Sequence, residues 1–193
     1  MANYRPSTST PPLVKRALNL AEQMEYPGSC SNETGQLLQL LTRTFISGVI
    51  GEIATGCGVA SAWIASALSL SASFLSVESD GARAATVRAM FEPMLNVRIV
   101  QGDWRDYLQN WRFGMLYAGA NSTRADYPEI LFHSMREGSL ILLDGLPPQG
   151  RVSLRSRQEA ARVREYWLNN PRLTSIEVQV SVTEAVILAT RNA

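Results

Sequence analysis

Apolar residues recur at helical spacing in the first 45 residues and in short strand-like runs thereafter. Leu13–Met24 sets Leu13, Ala17, Leu20 and Met24 on one face, and Pro27-Gly28 breaks the pattern. A second helix is predicted over Glu33–Phe45, capped by Ser31 or Asn32, with Leu37, Leu38, Leu41 and Phe45 inward. Strands are then predicted at Val49–Ala54, Phe74–Glu78, Val97–Gln101, Met115–Ala118 and Ser139–Leu143. Between them fall helices at Val59–Leu68, Gly81–Phe91 and Tyr127–Arg136, with a short turn at Trp104–Gln109. Such alternation implies a parallel sheet covered on both faces, whose ligands sit beyond the carboxyl ends of the strands.

The last quarter departs from that rhythm. A helix over Leu154–Leu168 stops at Asn170-Pro171, and two strand-like runs follow, Ser175–Val182 and Ala185–Thr190. Only Thr183-Glu184 separates them, whereas a parallel crossover needs about a dozen residues, so they must pair as an antiparallel hairpin. The expected fold class is α/β, with a seven-stranded, mostly parallel sheet. At 193 residues the chain is expected to form one domain over 13–193, preceded by a loose Ser/Thr/Pro-rich tail over 1–12.

Composition narrows the function. A net charge of +1 gives no broad cationic surface for nucleic acid or acidic membrane. No apolar run reaches the roughly 18 residues of a membrane span. Cys30 and Cys57 form no disulfide framework, which makes the cytoplasm the expected compartment. Of the 18 basic residues only Lys15 is lysine.

The densest chemistry lies in Gly48-Val-Ile-Gly-Glu-Ile-Ala-Thr-Gly-Cys-Gly-Val59, where a strand passes through Glu52 and a small-residue turn into a helix. Glycines there let backbone approach a ligand, and the new helix offers its amides. Three acids close consecutive predicted strands: Glu52, Glu78 and Asp103. Glu78 follows Gly58 by 20 positions, a spacing suited to ribose hydroxyls. Asp103 could accept from an exocyclic amino group while Trp104 lies against a purine. Each acid alone reads equally well as a solvated strand end. In this order the three describe a nucleoside pocket.

With these residues the chain resembles the class I S-adenosylmethionine-dependent methyltransferases, in particular the small O-methyltransferases similar to catechol and caffeoyl-CoA methyltransferases. The likeness runs from Asn32-Glu33-Thr34-Gly35-Gln36-Leu37-Leu38 to the hairpin. It implies a Rossmann-like fold and S-adenosyl-L-methionine as cofactor. The family's E-x-G-x-G-x-G becomes Glu52-Ile-Ala-Thr-Gly-Cys-Gly58, with Ala54 at the first glycine position and Thr55, Gly56 and Gly58 completing the loop. The resemblance assigns Thr34 and Gly35 to the methionine end and Glu78 with Ser79 to the ribose. It assigns Asp103 and Trp104 to the adenine, and sets Ala118 against the cofactor after the fourth strand. It also implies a small-molecule acceptor and a possible homodimer.

The catalytic half departs from the family. Metal-dependent relatives carry D-x-x-K after the fourth strand and Asp-Asn or Asp-Asp after the fifth. This chain has Ala118-Gly119-Ala120-Asn121 and Asp144-Gly145, with Gly114 where an aspartate usually begins the fourth strand. One remaining carboxylate does not suit octahedral magnesium, so no catalytic metal is expected. Asp144 is the candidate base by position, and reads equally as a polar strand end. His133, the only histidine, reads as a surface or helix-packing residue, and no Ser-His-Asp spacing exists. Cys57 reads as a small residue that fits its turn. Asp126 reads as a helix cap before Pro128, and Arg151, Arg155, Arg157, Arg162 and Arg164 as a solvated face or a site for an acidic partner. Leu146-Pro147-Pro148-Gln149-Gly150 should border the acceptor. The leading expectation is O-methylation of a small molecule, against a cofactor-binding module that has lost catalysis. A nicotinamide oxidoreductase is disfavoured by Ser61 at the third glycine position and by the terminal hairpin.

Overall fold

The computed structural model describes residues 9–119, 128–147 and 154–193, the last with side chains from 158 onward. Two helices, α1 (Pro12–Gln23) and α2 (Asn32–Thr44), precede the alternating elements β1 (Gly48–Ile53), α3 (Val59–Ala65), β2 (Ala72–Glu78), α4 (Gly81–Phe91) and β3 (Val97–Gln101). These continue as α5 (Trp104–Asn110), β4 (Phe113–Ala118), α6 (Pro128–Ser134), β5 (Met135–Leu146), α7 (Leu154–Asn169), β6 (Leu173–Gln179) and β7 (Ala185–Arg191). The sheet order is β3-β2-β1-β4-β5-β7-β6, with β7 antiparallel to both neighbours. The expected mostly parallel sheet with a C-terminal hairpin is what forms.

Alternation along the strands sends neighbouring residues to two cores. Ile50, Phe74, Met115 and Leu142 meet Val14, Leu38 and Trp63 on one face. Ile53, Leu75, Leu116 and Ile141 meet Leu131, Val163 and Trp167 on the other. Near-continuous apolar runs are what a strand buried on both sides requires. Caps act locally: Ser31 Oγ accepts from Thr34 N at 3.2 Å, and Asp80 Oδ1 from Arg83 N at 2.8 Å.

Of the boundaries that differ from the sequence reading, three have a visible cause. Helix α6 stops at Ser134 and Met135 already pairs with Phe113 in the sheet, where Arg136 was expected to end the helix. The register then shifts between Phe113 and Met115, and Gly138 at φ +72° absorbs the irregularity in open space. Helix α3 ends at Ala65 rather than Leu68, where Ser66 Oγ turns back to the Ala62 carbonyl at 2.6 Å. The hairpin connection spans residues 180–184 instead of two residues, closed by Val180 N donating to Glu184 O at 3.0 Å. The Glu184 carboxylate accepts from the Ser31 and Thr34 hydroxyls, which draws this turn onto the start of α2. The expected cap Asp126 lies outside the described residues. Among the described residues no helix is long and apolar enough to cross a membrane.

Helix α2 lies close on α3 because Gly35 has no side chain. A Cβ there would sit 2.1 Å from Trp63 Nε1, inside a core that holds Trp63 buried. Overpacking of this kind costs about 1–3 kcal/mol. Gly35→Ala is accordingly expected to lower the unfolding free energy by that amount, seen as a lower urea midpoint at an unchanged m-value by circular dichroism.

Candidate functional site

Parallel sheets open a crevice where strand order reverses, here between β1 and β4. The turn leaving β1 is left-handed at three places, with φ +60° at Ala54, +58° at Gly56 and +77° at Gly58. Alanine thus holds a conformation that glycine adopts more easily, at a cost of about 1–2 kcal/mol. Side chains are also excluded by crowding, since a Cβ at Gly56 would lie 2.7 Å from the Tyr26 ring and one at Gly58 2.8 Å from Val87.

Two carboxylates flank this turn at adjacent strand ends. Glu52 is 2% exposed, and its Oε2 accepts from Ser76 Oγ at 2.6 Å and from the Ser61 hydroxyl. Thr55 Oγ1 meets Ser76 Oγ at 2.6 Å, extending the network into the turn. Burial pushes Glu52 up to about 7, against the opposing effect of the two serines. Glu78 is equally buried, yet its Oε2 accepts from Gly56 N at 2.8 Å and its Oε1 from Asp80 N at 2.9 Å and Arg83 Nη2 at 2.6 Å. Burial alone would raise it, but the Arg83 guanidinium and the two amides outweigh that and hold Glu78 below the ordinary carboxylate range. The pair is tuned apart, one neutral at mild acidity and one ionised.

Above the turn, Tyr26 and Arg83 close the surface, with the guanidinium 5.0 Å from the ring centroid. A pocket with about 330 Å³ of empty space lies beneath them, lined by Tyr26, Cys30, Glu52, Ala54, Cys57 and Tyr117. Tyr117 donates its hydroxyl to Asp144 Oδ2, and both residues are buried. Burial and the Asp144 charge push the phenol well above its usual range, so it stays a proton donor. A wider cleft of about 1150 Å³ runs outside, between Ser29–Ser31, Gly145–Pro147 and the hairpin turn through Glu184.

The expected residues divide. Glu52, Ala54 and Thr55 line the pocket, Gly56 and Gly58 shape its turn, and Glu78 braces it. Ser79 is exposed at the end of β2, with its hydroxyl 3.5 Å from Glu78 Oε1. Asp103 caps α5 and is gripped by Arg105, whose Nε lies 2.8 Å from Oδ1, which lowers the carboxyl. Trp104 packs on the second core. Thr34 Oγ1 turns to Glu184 at 3.3 Å and Gly35 backs Trp63, so neither lines the pocket. Ala118 is buried in the second core, and Asp144 stands behind Tyr117. His133 is exposed beside Glu129 at 3.4 Å, and Arg164 pairs with Glu177 at 2.7 Å. Asn121 and Arg151 lie outside the described residues. Among the described residues no three His, Cys, Asp or Glu side chains gather as a metal site requires.

Sequence reasoning missed Tyr26, Arg83, Arg105, Ser76 and Tyr117. Only Tyr117 carried a signal, as a phenol beside the Ala118 position already suspected. The others act through contacts across 22 or more residues, or through a side-chain direction that spacing does not encode.

Glu52 yields a pH test. The folded protein keeps the proton to about pH 7, the unfolded chain only to about 4.5. Its contribution to stability is therefore complete below 4.5 and falls as pH rises through 7, by roughly 3 kcal/mol in all. Glu52→Gln stays neutral, so its stability relative to wild type should rise by roughly 2–3 kcal/mol between pH 5 and pH 8. Paired urea titrations at the two pH values measure the difference.

No protein-family model matches the chain, and no curated protein matches it in sequence. Solved structures do. An O-methyltransferase from Bacillus cereus in complex with SAH is 22% identical, with a TM-score of 0.82 over 96% of this chain and 93% of that one. TomG from Streptomyces achromogenes, an O-methyltransferase of tomaymycin synthesis in complex with SAM, is 21% identical, with a TM-score of 0.79 over 97% and 92%. A methyltransferase from Geobacter sulfurreducens is 20% identical, with a TM-score of 0.78 over 95% and 92%. Across almost its full length, the chain has the fold of these methyltransferases.

Proposed function

We propose that the chain is an S-adenosylmethionine-dependent methyltransferase that methylates a small molecule at oxygen. It acts in the cytoplasm as one domain over 13–193, without a catalytic metal. The observation that carries this reading is the pair of buried carboxylates at adjacent strand ends, set on either side of a left-handed Ala54–Gly58 turn. When bound, the cofactor supplies a methyl group already activated on a sulfonium. Glu52 would hold its ammonium group and Glu78 its ribose hydroxyls. Glu78 Oε2 retains an acceptor site beside its bond from Gly56 N, whereas Oε1 is filled by Asp80 N and Arg83 and would have to be shared. Asp103 and Trp104 would border the adenine, with Arg105 shared. Thr34 and Gly35 would support the methionine end through α2 and its Glu184 contact.

Transfer from a sulfonium depends mostly on in-line positioning. The cleft between Ser29–Ser31 and Gly145–Pro147 offers the acceptor a place beside the pocket. Tyr117 lines the pocket and donates to Asp144, so the pair can relay a proton. Tyr117 oxygen takes the acceptor's proton while its own passes to the Asp144 carboxylate, leaving a neutral phenol and a neutral acid. Asp144 is thus the final base. An acceptor already ionised as a carboxylate or acidic phenol needs no such relay.

Calorimetry with S-adenosylhomocysteine tests the cofactor reading. A cation at Glu52 drives its ionisation, so affinity should rise with pH up to about 7, by as much as tenfold per unit, and level off above. Glu52→Gln should flatten that profile, and Glu78→Gln should weaken binding by roughly 10- to 100-fold. Labelled methyl transfer to phenols and carboxylates then separates an enzyme from a cofactor-holding module. Absence of any affinity at pH 8 overturns both.

A further inference from the structure

Among the described residues, the inner pocket and the outer cleft share a single wall residue, Ser29. It lies in the loop from α1 to α2, directly after Pro27-Gly28 and two residues before the Ser31 cap. Ser31 accepts from Thr34 N and donates to the Glu184 carboxylate, so the chain just beyond Ser29 is tied to its own helix and to the hairpin. Glu52 and Tyr117 line the inner pocket, whereas the cleft runs out past Gly145 and Pro147. A group handed from one space to the other crosses at Ser29.

The Ser29 hydroxyl oxygen is buried, and among the described residues it has no hydrogen-bond partner. A hydroxyl taken out of water without a bond is a net cost to folding, and a partner that arrives with a ligand removes that cost. Thr55 and Tyr117 line the same pocket, but their hydroxyls are already occupied by Ser76 and Asp144. The unused bonding capacity sits where the two spaces meet.

We propose that Ser29 binds the acceptor oxygen that receives the methyl group and sets a preference for oxygen over sulfur, an assignment that rests on the methyltransferase reading above. A hydroxyl oxygen carries one proton and two lone pairs. Its proton goes to Tyr117, which passes its own to Asp144. One lone pair accepts from Ser29 Oγ, and the other is left for the methyl carbon. The oxygen–methyl bond forms as the carbon–sulfur bond breaks, and that electron pair returns to sulfur, which becomes a neutral thioether. Charge builds on the oxygen as its proton leaves, so the Ser29 bond tightens in the transition state. Bonds from two separate elements, the α1–α2 loop and β4, fix the direction of attack, on which transfer from a sulfonium depends. Sulfur accepts hydrogen bonds weakly, so a thiol draws little from Ser29.

Transfer from labelled S-adenosylmethionine to phenol and to thiophenol tests this on the full chain, with calorimetry of S-adenosylhomocysteine alongside. Ser29→Ala should lower kcat/KM for phenol about tenfold and leave that for thiophenol within about twofold. Its affinity for S-adenosylhomocysteine should stay within about twofold of wild type, with thermal melting confirming that the variant is folded. A loss equal on both acceptors, a phenol rate indifferent to the substitution, or a loss carried by S-adenosylhomocysteine affinity overturns the assignment and leaves the cofactor reading standing. Wild type that binds S-adenosylhomocysteine but methylates neither acceptor does the same. Wild type without affinity for S-adenosylhomocysteine overturns the cofactor reading, and the assignment with it.

Discussion

The bond from Gly56 N to Glu78 Oε2 holds the site together. It fastens the turn after β1 to the end of β2, beside the backbone link from Thr55 N to the Val77 carbonyl at 3.2 Å. An ionised carboxylate accepting from a backbone amide is about twice as strong as a neutral pair, and it is buried. Without it the left-handed residues at 54, 56 and 58 would have little to define them. With it, Glu52 is shut beneath the turn among serines, where its charge is disfavoured. The opposite protonation states of two glutamates follow from one loop geometry.

The same constraint explains what crowds the mouth. Because Glu78 must stay ionised in a buried place, it recruits Arg83, and Arg83 in turn lies over Tyr26. Tyr26 then fills the space a side chain at Gly56 would claim. The Glu78 charge is thereby covered by residues from α4 and from the loop between α1 and α2. A nucleoside entering this pocket has to share Glu78 with Arg83 or move it aside.

Most of the architecture was legible because each element carried its own local signal. Strand runs that are apolar throughout, glycines at the β1 turn and a two-residue gap in the hairpin sequence each fixed one feature. Helix α4 and strand β3 fell where periodicity placed them. What failed were boundaries governed by distant partners. Met135 joins the sheet because Phe113 is there to receive it, and the hairpin turn lengthens because Glu184 finds Ser31 and Thr34. The acids at the strand ends were readable as an ordered set. Their partners were not, because Arg83 and Arg105 are unremarkable in sequence and only side-chain direction gives them a role. The Thr34 hydroxyl likewise meets Glu184, 150 positions away, a contact that no local motif encodes.

Among the described residues strand β6 joins the sheet only through β7, and the start of α2 is tied to Glu184, 153 positions beyond Ser31. During synthesis the ribosome therefore releases α2 and the first five strands long before the residues that secure them emerge. The nascent chain can assemble its parallel half early, but β5 waits with an open edge until residues 185–191 slot in beside it. An arrest or truncation near residue 180 would leave that edge bare, and with it a sticky template for other chains.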